Sequence, residues 1–386
     1  MAAWPSPWLP LLLVTALLAF EDWLATPTCS DGGSTAPASG DLRVMMVADL
    51  MLLGSDATYA DRFFRNHVMS KLFAKSIETL KPDTIVVLGD ISAKGFELTE
   101  SKWIDVLEQF EGILGQYSAL PLYIALGDKD VGGCANLDNS FVHRVTKHLP
   151  GLDSSGCGTF EIGNVSFVSL NAVALLCGNN PLRFSIEKVI EKENHHFQQK
   201  VVNEAGYFSL GSVEREGFTW RQNNMESGSG PVVLLHFPLY KSHEPDNSDG
   251  EAIGVHKFSE GTVSELPVSS SLKERGAIGR RSYDQLHALP ANSTQYILQA
   301  LKPRIVFSAH DGSFSDYTHD DGTREVSVPA MTQKITGVPG FVIATFGRKG
   351  IVTVRHCFIV PEWYVIAGYL IFLLLTAVAV RLSHSM

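Results

Sequence analysis

Five short apolar runs end in, or just before, an aspartate or histidine, and this pattern limits the fold more than any other feature of the chain. RVMMVADL (43–50) carries Asp49, TIVVLGD (84–90) ends on Asp90, and the run from Leu120 to Leu126 stops at Gly127-Asp128. PVVLLHFPLY (231–240) holds His236, and RIVFSAH (304–310) ends on His310. Runs of this length, rich in Val and Ile, read as buried strands. Between them, Phe63, Phe64, Val68, Leu72, Phe73 and Ile77 keep helical spacing within 59–80, and a second helix-like stretch runs from Thr99 to Tyr117. Strand–helix–strand alternation predicts an α/β fold with parallel sheet and helical crossovers. In open α/β sheets ligands bind beyond the carboxyl ends of the strands. An aspartate after a strand is by itself an ordinary turn residue. Three carboxylates and two imidazoles at one such edge form an N/O donor set suited to a divalent transition metal.

The rest of the chain is less regular. GTFEIGNVSFVSLNAV (158–173) predicts a β-hairpin, and 175–229 reads as a polar, uneven insertion. Residues 244–282, rich in Ser, Gly and charge, read as a long loop, followed by a helix from about Tyr283 to Leu301. EVSVPAM, GFVIATF and GIVTVRH predict three short closing strands.

Apolar segments lie at both ends. Trp8 to Phe20 is uncharged and reads as a signal-peptide core or a short anchor. Trp363 to Val380 gives 18 uncharged residues, ending at Arg381, and a run of roughly this length just spans a bilayer. Trp363, Tyr364 and Tyr369 suit an aromatic belt, and Arg381 favours a cytosolic C-terminus, which puts residues 22–362 in the lumen. The sequons Asn164-Val-Ser166 and Asn292-Ser-Thr294 agree with that side. The five cysteines lack zinc-type spacing; an oxidising lumen would allow disulfides, among them Cys29 to Cys357, and the odd count leaves at least one cysteine free or paired between chains. The expected order is an N-terminal signal or anchor (1–27), a linker (28–40), a lumenal domain (41–358), a transmembrane helix (362–381) and a short tail (382–386). A net charge of −10 argues against a nucleic-acid partner, and nothing in the sequence sets an oligomeric state.

VADLMLLG, VVLGDISAKG, ALGDKD, LLHFPLY and FSAHDG occur in the order of the D-x-H, G-D-x-x, G-N-H-D, lone H and G-H-x-H motifs. In this the chain resembles the calcineurin-like metallophosphoesterase family, over about residues 42–346. VSLNAVAL, HFPLY, LKPRIVFSAH and EVSVP resemble most the branch that removes ethanolamine phosphate from GPI anchors, which also sets its domain between two terminal membrane segments. The resemblance implies an α/β/β/α sandwich whose site holds two divalent ions, manganese, zinc or iron. Asp49 would ligate the first metal and Asp90 would bridge both. Asp90, Asp128, His236 and His310 would complete the second site, with Asp128 in place of an asparagine. The first site departs from the pattern: Met51 stands for the histidine of D-x-H and Gly312 for the last histidine of G-H-x-H. One ion is therefore expected, with the first site depleted. Lys129 replaces the histidine of G-N-H-D, where a phosphate contact or proton donor is implied, so Lys129, Asp90 and His236 are the expected catalytic residues. His319, in DYTHDDG, is a candidate substitute for the missing ligand.

The expected function is a metal-dependent phosphoesterase acting on a lipid-linked phosphodiester such as the GPI-anchor ethanolamine phosphate. Its expected location is a membrane of the secretory pathway, the endoplasmic reticulum or Golgi, with a lumenal domain. Its expected partners are the membrane and a GPI-anchored protein or glycolipid. The alternative is an inactive member that binds or traffics GPI-anchored cargo.

Overall fold

Alternation along the central strands divides their side chains between two apolar layers, because successive residues of a strand point to opposite faces. Val44, Met46, Val86 and Leu88 pack with Phe167, Val232, Leu234, Ile305 and Phe307 in an inner layer. Their chain neighbours Met45, Val47, Ile85 and Val87, with Val168, Val233 and Val306, belong to an outer set that includes the helix residues Phe73, Val106, Ile190 and Ile297. The result is two sheets face to face with helices outside, an α/β/β/α sandwich. The computed structural model describes residues 9–30, 40–178, 180–205, 228–241, 287–332, 338–347 and 350–385.

The strands in chain order are β1 (Thr28–Cys29), β2 (Leu42–Val47), β3 (Thr84–Leu88), β4 (Leu122–Ala125), β5 (Gly158–Ile162) and β6 (Val165–Ser169), then β7 (Val232–Leu234), β8 (Ile305–Ser308), β9 (Ser315–Thr318), β10 (Arg324–Ser327), β11 (Gly340–Phe346) and β12 (Val352–Phe358). One sheet has the order β1-β12-β11-β2-β3-β4 and the other β5-β6-β7-β8-β10-β9. Pairing is parallel along β2-β3-β4 and along β6-β7-β8-β10, so the carboxyl ends within each run lie side by side. Ala48 bridges Ala330, and the Met331 N–H donates to the Ala48 carbonyl at 2.9 Å, joining the two sheets next to those ends. Phe307 is fully buried between the sheets, and truncating it to alanine would cost about 3–5 kcal/mol.

Several expectations change. Thr28–Cys29, expected as linker, is an edge strand paired antiparallel with β12, and the Cys29–Cys357 disulfide closes that pair. The segment expected as an uneven insertion contains a helix, Pro181–Ala205. Its buried Leu182, Ile186, Ile190 and Phe197 recur at helical spacing, but charged residues between them mask the stripe. The expected Tyr283–Leu301 helix starts at Ala291, after Pro290; proline disfavours helix in the residue before it. Strand β9, in the polar stretch before Gly322, was not anticipated. A second disulfide joins Cys134 to Cys177, and Cys157 remains a buried thiol. The expected loop 244–282 lies outside the described residues.

A helix at each end lies beside the domain. Leu9–Ala25 and Glu362–Ser385 meet where Phe20 packs edge-on against Tyr369 at 5.9 Å. The Tyr369 hydroxyl donates to Glu21 at 2.7 Å, and Glu21 also pairs with Lys71 of the helix Ser70–Leu80. Arg65, buried under this junction, faces Glu362 at 3.6 Å. Glu362–Arg381 is long and apolar enough to cross a membrane.

Candidate metal centre

The segments that follow β2, β3, β4, β7 and β8 carry Asp49, Asp90, Asp128, His236 and His310 in turn, with Asp128 opening a one-turn helix. Three of these turns force the chain into the left-handed region: Asp49 has φ 53°, Asp90 φ 52° and His310 φ 71°, with Met51 alongside at φ 51°. The other non-glycine residues of this kind among those described are Lys81 and Lys302, which end helices, and Asn164, in the hairpin turn. Such conformations persist in a non-glycine residue only where the surroundings impose them, and they cluster at functional sites. Two glycines make room for the side chains. A Cβ on Gly127 would fall 2.0 Å from Asp90 Oδ1, and one on Gly89 would fall 2.5 Å from His236 Nδ1.

His236 is the hub. Its Nδ1–H donates to the Leu88 carbonyl at 2.7 Å, which fixes the tautomer and turns the Nε2 lone pair toward the other groups. His236 Nε2 lies 3.3 Å from Asp128 Oδ1 and 3.3 Å from His310 Nδ1, and those two atoms are 3.4 Å apart. Bonds of about 2.0–2.2 Å to a tetrahedral ion would set ligand atoms about 3.3–3.6 Å apart. Asp128, His236 and His310 match that spacing and leave a fourth position open. Asp49 and Asp90 converge with His236 in a second group, where Asp90 Oδ2 is 3.6 Å from His236 Nε2. The resemblance makes Asp90 the bridge between both sites; the structure groups it with Asp49 and His236. All five expected ligands meet at one edge.

The donor set calls for a cation. Asp49 is fully buried and neither carboxylate oxygen has a hydrogen-bond partner, an arrangement that costs several kcal/mol unless a positive charge or a proton compensates. Burial pushes the Asp49 carboxyl up to about 7 and the Asp90 carboxyl in the same direction. Burial opposes charge on His236 as well, yet the Asp90, Asp128 and Asp49 carboxylates override it and push the imidazole up to about 10. Burial likewise works to raise Asp128, but its contacts with His236 and His310 hold it well below the usual carboxylate range. Burial lowers His310. Without metal, then, protons supply the positive charge that an ion would bring, and the residues fit a divalent ion.

The remaining assignments separate. The Lys129 backbone N–H donates to Asp90 Oδ1 at 2.8 Å, and its ammonium pairs with Asp128 Oδ2. Met51 is buried, and its N–H donates to the Asp90 carbonyl at 3.0 Å. His319 does not stand in for the lost ligand. It is buried and pairs with Glu325 at 2.8 Å, and Glu325 in turn accepts from Ser308 at 2.7 Å and from the Leu239 N–H at 2.9 Å. Sequence reasoning missed Asp130, which accepts from the Ser92 and Gly127 N–H groups at 2.9 and 3.1 Å and so ties the β3 and β4 loops together. Its place within GDKD was the available signal. His287, whose ring lies 5.7 Å from that of His310, carried no signal.

An α/β/β/α sandwich with aspartates and histidines on its parallel strand ends is the architecture of the calcineurin-like metallophosphoesterases, the class that the motifs resemble. Homologues of this chain carry that activity in their names. Metallophosphoesterase 1 of Cricetulus griseus is 26% identical over 348 residues, covering 90% of this chain and 79% of that protein. Metallophosphoesterase 1 of Danio rerio is 24% identical over 354 residues, covering 89% and 83%. Among solved structures, a dimetal phosphatase from Danio rerio aligns over 84% of this chain and 100% of its own, with 12% identity and a TM-score of 0.43. No family model matches the chain.

Proposed function

We propose that this chain is a metal-dependent phosphoesterase, held at a membrane and acting on a lipid-linked phosphodiester such as the ethanolamine phosphate of a GPI anchor. The observation that carries the reading is the convergence of Asp128, His236 and His310 at tetrahedral ligand spacing, beside the unpartnered carboxylate of Asp49. The names of the homologues support the reaction class.

Asp128, His236 and His310, with Asp90 and Asp49 beside them, would hold the divalent ion, which is manganese, zinc or iron. A bound ion polarises a phosphoryl oxygen and eases ionisation of a water. The Leu88 carbonyl keeps His236 in the ligating tautomer, and the Lys129 N–H fixes one oxygen of Asp90. The Lys129 side chain is 42% exposed and so can meet an incoming phosphate from the solvent side. Water attacks phosphorus and the ester P–O bond breaks, leaving a phosphomonoester on one fragment and an alcohol on the other.

The C-terminal helix supports a membrane tether, and Arg381 at its far end supports a lumenal domain over 41–358. The disulfides suit an oxidising compartment such as the endoplasmic reticulum or Golgi. The test is hydrolysis by the full chain in detergent, stripped of metal and reloaded with manganese or zinc. The substrates are a chromogenic phosphodiester and a GPI lipid bearing ethanolamine phosphate. Metal-dependent release of ethanolamine phosphate is expected; loaded protein that hydrolyses neither would sink the enzyme reading. Met51 and Gly312 favour a second reading, a non-catalytic protein that binds or traffics GPI-anchored cargo. Capture of GPI lipid without turnover would select it.

A further inference from the structure

The two convergent groups cannot both be filled with three protein ligands. Asp128, His236 and His310 form one, and Asp49, Asp90 and His236 form the other. They share His236, whose Nδ1–H is committed to the Leu88 carbonyl, so only the Nε2 lone pair is free to ligate. One lone pair binds one cation. When the Asp128 group takes it, the other side keeps two carboxylates, and the two motif positions that would add ligands hold Met51, which is buried, and Gly312, which has no side chain. A thioether is a poor donor for manganese or zinc.

That leaves the carboxylates Asp49, Asp90 and Asp128 around one divalent ion, one positive charge short of neutral. Asp130 adds no comparable demand, because two backbone N–H groups meet it. Lys129 stands at the gap. Its ammonium pairs with Asp128, its backbone N–H holds Asp90, and its charge also acts on Asp90 and Asp49. We propose that the centre binds a single divalent ion and that the Lys129 ammonium serves as its second cation, completing the neutralisation and receiving a phosphoryl oxygen.

This inference rests on the phosphoesterase reading for its ligand, but its test needs no turnover. The full chain in detergent is loaded with excess zinc or manganese, desalted and assayed for metal by mass spectrometry, and titrated with inorganic phosphate. One ion per chain is expected; two ions would overturn the proposal. Lys129→Gln should keep one ion yet weaken phosphate binding about tenfold or more, as loss of a close charge partner does. Lys129→Arg, which keeps the charge, should stay within about threefold of the parent. Unchanged phosphate affinity in Lys129→Gln would remove the lysine from this role. One ion with lysine-dependent phosphate binding but no hydrolysis would defeat the phosphoesterase reading and leave this inference standing. Two ions with hydrolysis would do the reverse.

Discussion

The two sides of the metal centre share a hub and differ in the side chains around it. On one side Asp128 and His310 close on His236 at ligand spacing, and every donor is a strong one for a divalent ion. On the other, Asp49 lies buried with both oxygens unpartnered, two residues along the chain from the buried Met51. Both sides keep the strained left-handed turns, since Asp49, Met51 and Asp90 adopt positive φ as His310 does. The contrast is one of side chains on similar turns: the same left-handed backbone carries different donor chemistry on the two sides.

The largest effect should come from the hub. His236→Ala removes the one donor common to both groups, so metal content should fall below one-tenth of the parent, and turnover by a factor of about a thousand; elemental analysis and the diesterase assay read both. Asp90→Ala should also abolish activity, and retained activity would displace Asp90 from the site.

Restoring donors to the poor side comes next. Met51→His with Gly312→His should raise the metal content from one ion toward two, and turnover by about ten- to a hundredfold. Histidine is among the residues that tolerate positive φ, so the backbone at Met51 and Gly312 is compatible with the change. A content fixed at one ion would mean that this side has lost its shape as well as its ligands.

Asp49 offers a smaller, pH-dependent test. Burial pushes its carboxyl up to about 7, against about 3.9 in an unfolded chain. The folded, metal-free protein therefore binds a proton that the unfolded chain releases. The stabilisation is complete below the unfolded value and is lost as pH rises through about 7. Chelated protein should show a thermal midpoint roughly 5 °C lower at pH 8 than at pH 5. Asp49→Asn should reduce the trend, with the raised Asp90 and His236 groups keeping part of it. Loaded protein should show the opposite slope, because ligands bind metal deprotonated.

The smallest effect on metal should come from His319→Gln. It breaks the pair with Glu325 and should cost about 1–3 kcal/mol of stability, with metal content unchanged. A loss of metal would bring His319 back toward the centre.

How much of this was legible in the sequence depends on the kind of signal. Apolar runs of strand length marked β2, β3, β4, β7 and β8, and the polar residue closing each marked the edge where they meet. Strand β1 is two residues long and depends on β12 and the Cys29–Cys357 bond, so no local pattern announced it. The helix Pro181–Ala205 hid its apolar stripe among charges. His319 looked like a ligand because it lies close in sequence to the missing one. Its burial against Glu325 reflects strand β9, a short polar strand whose faces alternate between half-buried and exposed.

The sequence by itself determined the α/β class, the two apolar ends and the candidate donors, since these depend on periodicity and side-chain chemistry. It also gave the expectation that one side is short of ligands, because Met51 and Gly312 stand at two of the motif positions. Only the tertiary structure decided how the donors divide. That Asp128 groups with His310 while Asp90 groups with Asp49, and that both groups meet on one nitrogen of His236, depends on distances between loops up to about 260 residues apart in the chain. Those distances are set by parallel pairing within two sheets and by the packing between them, through contacts remote in sequence that local patterns do not encode.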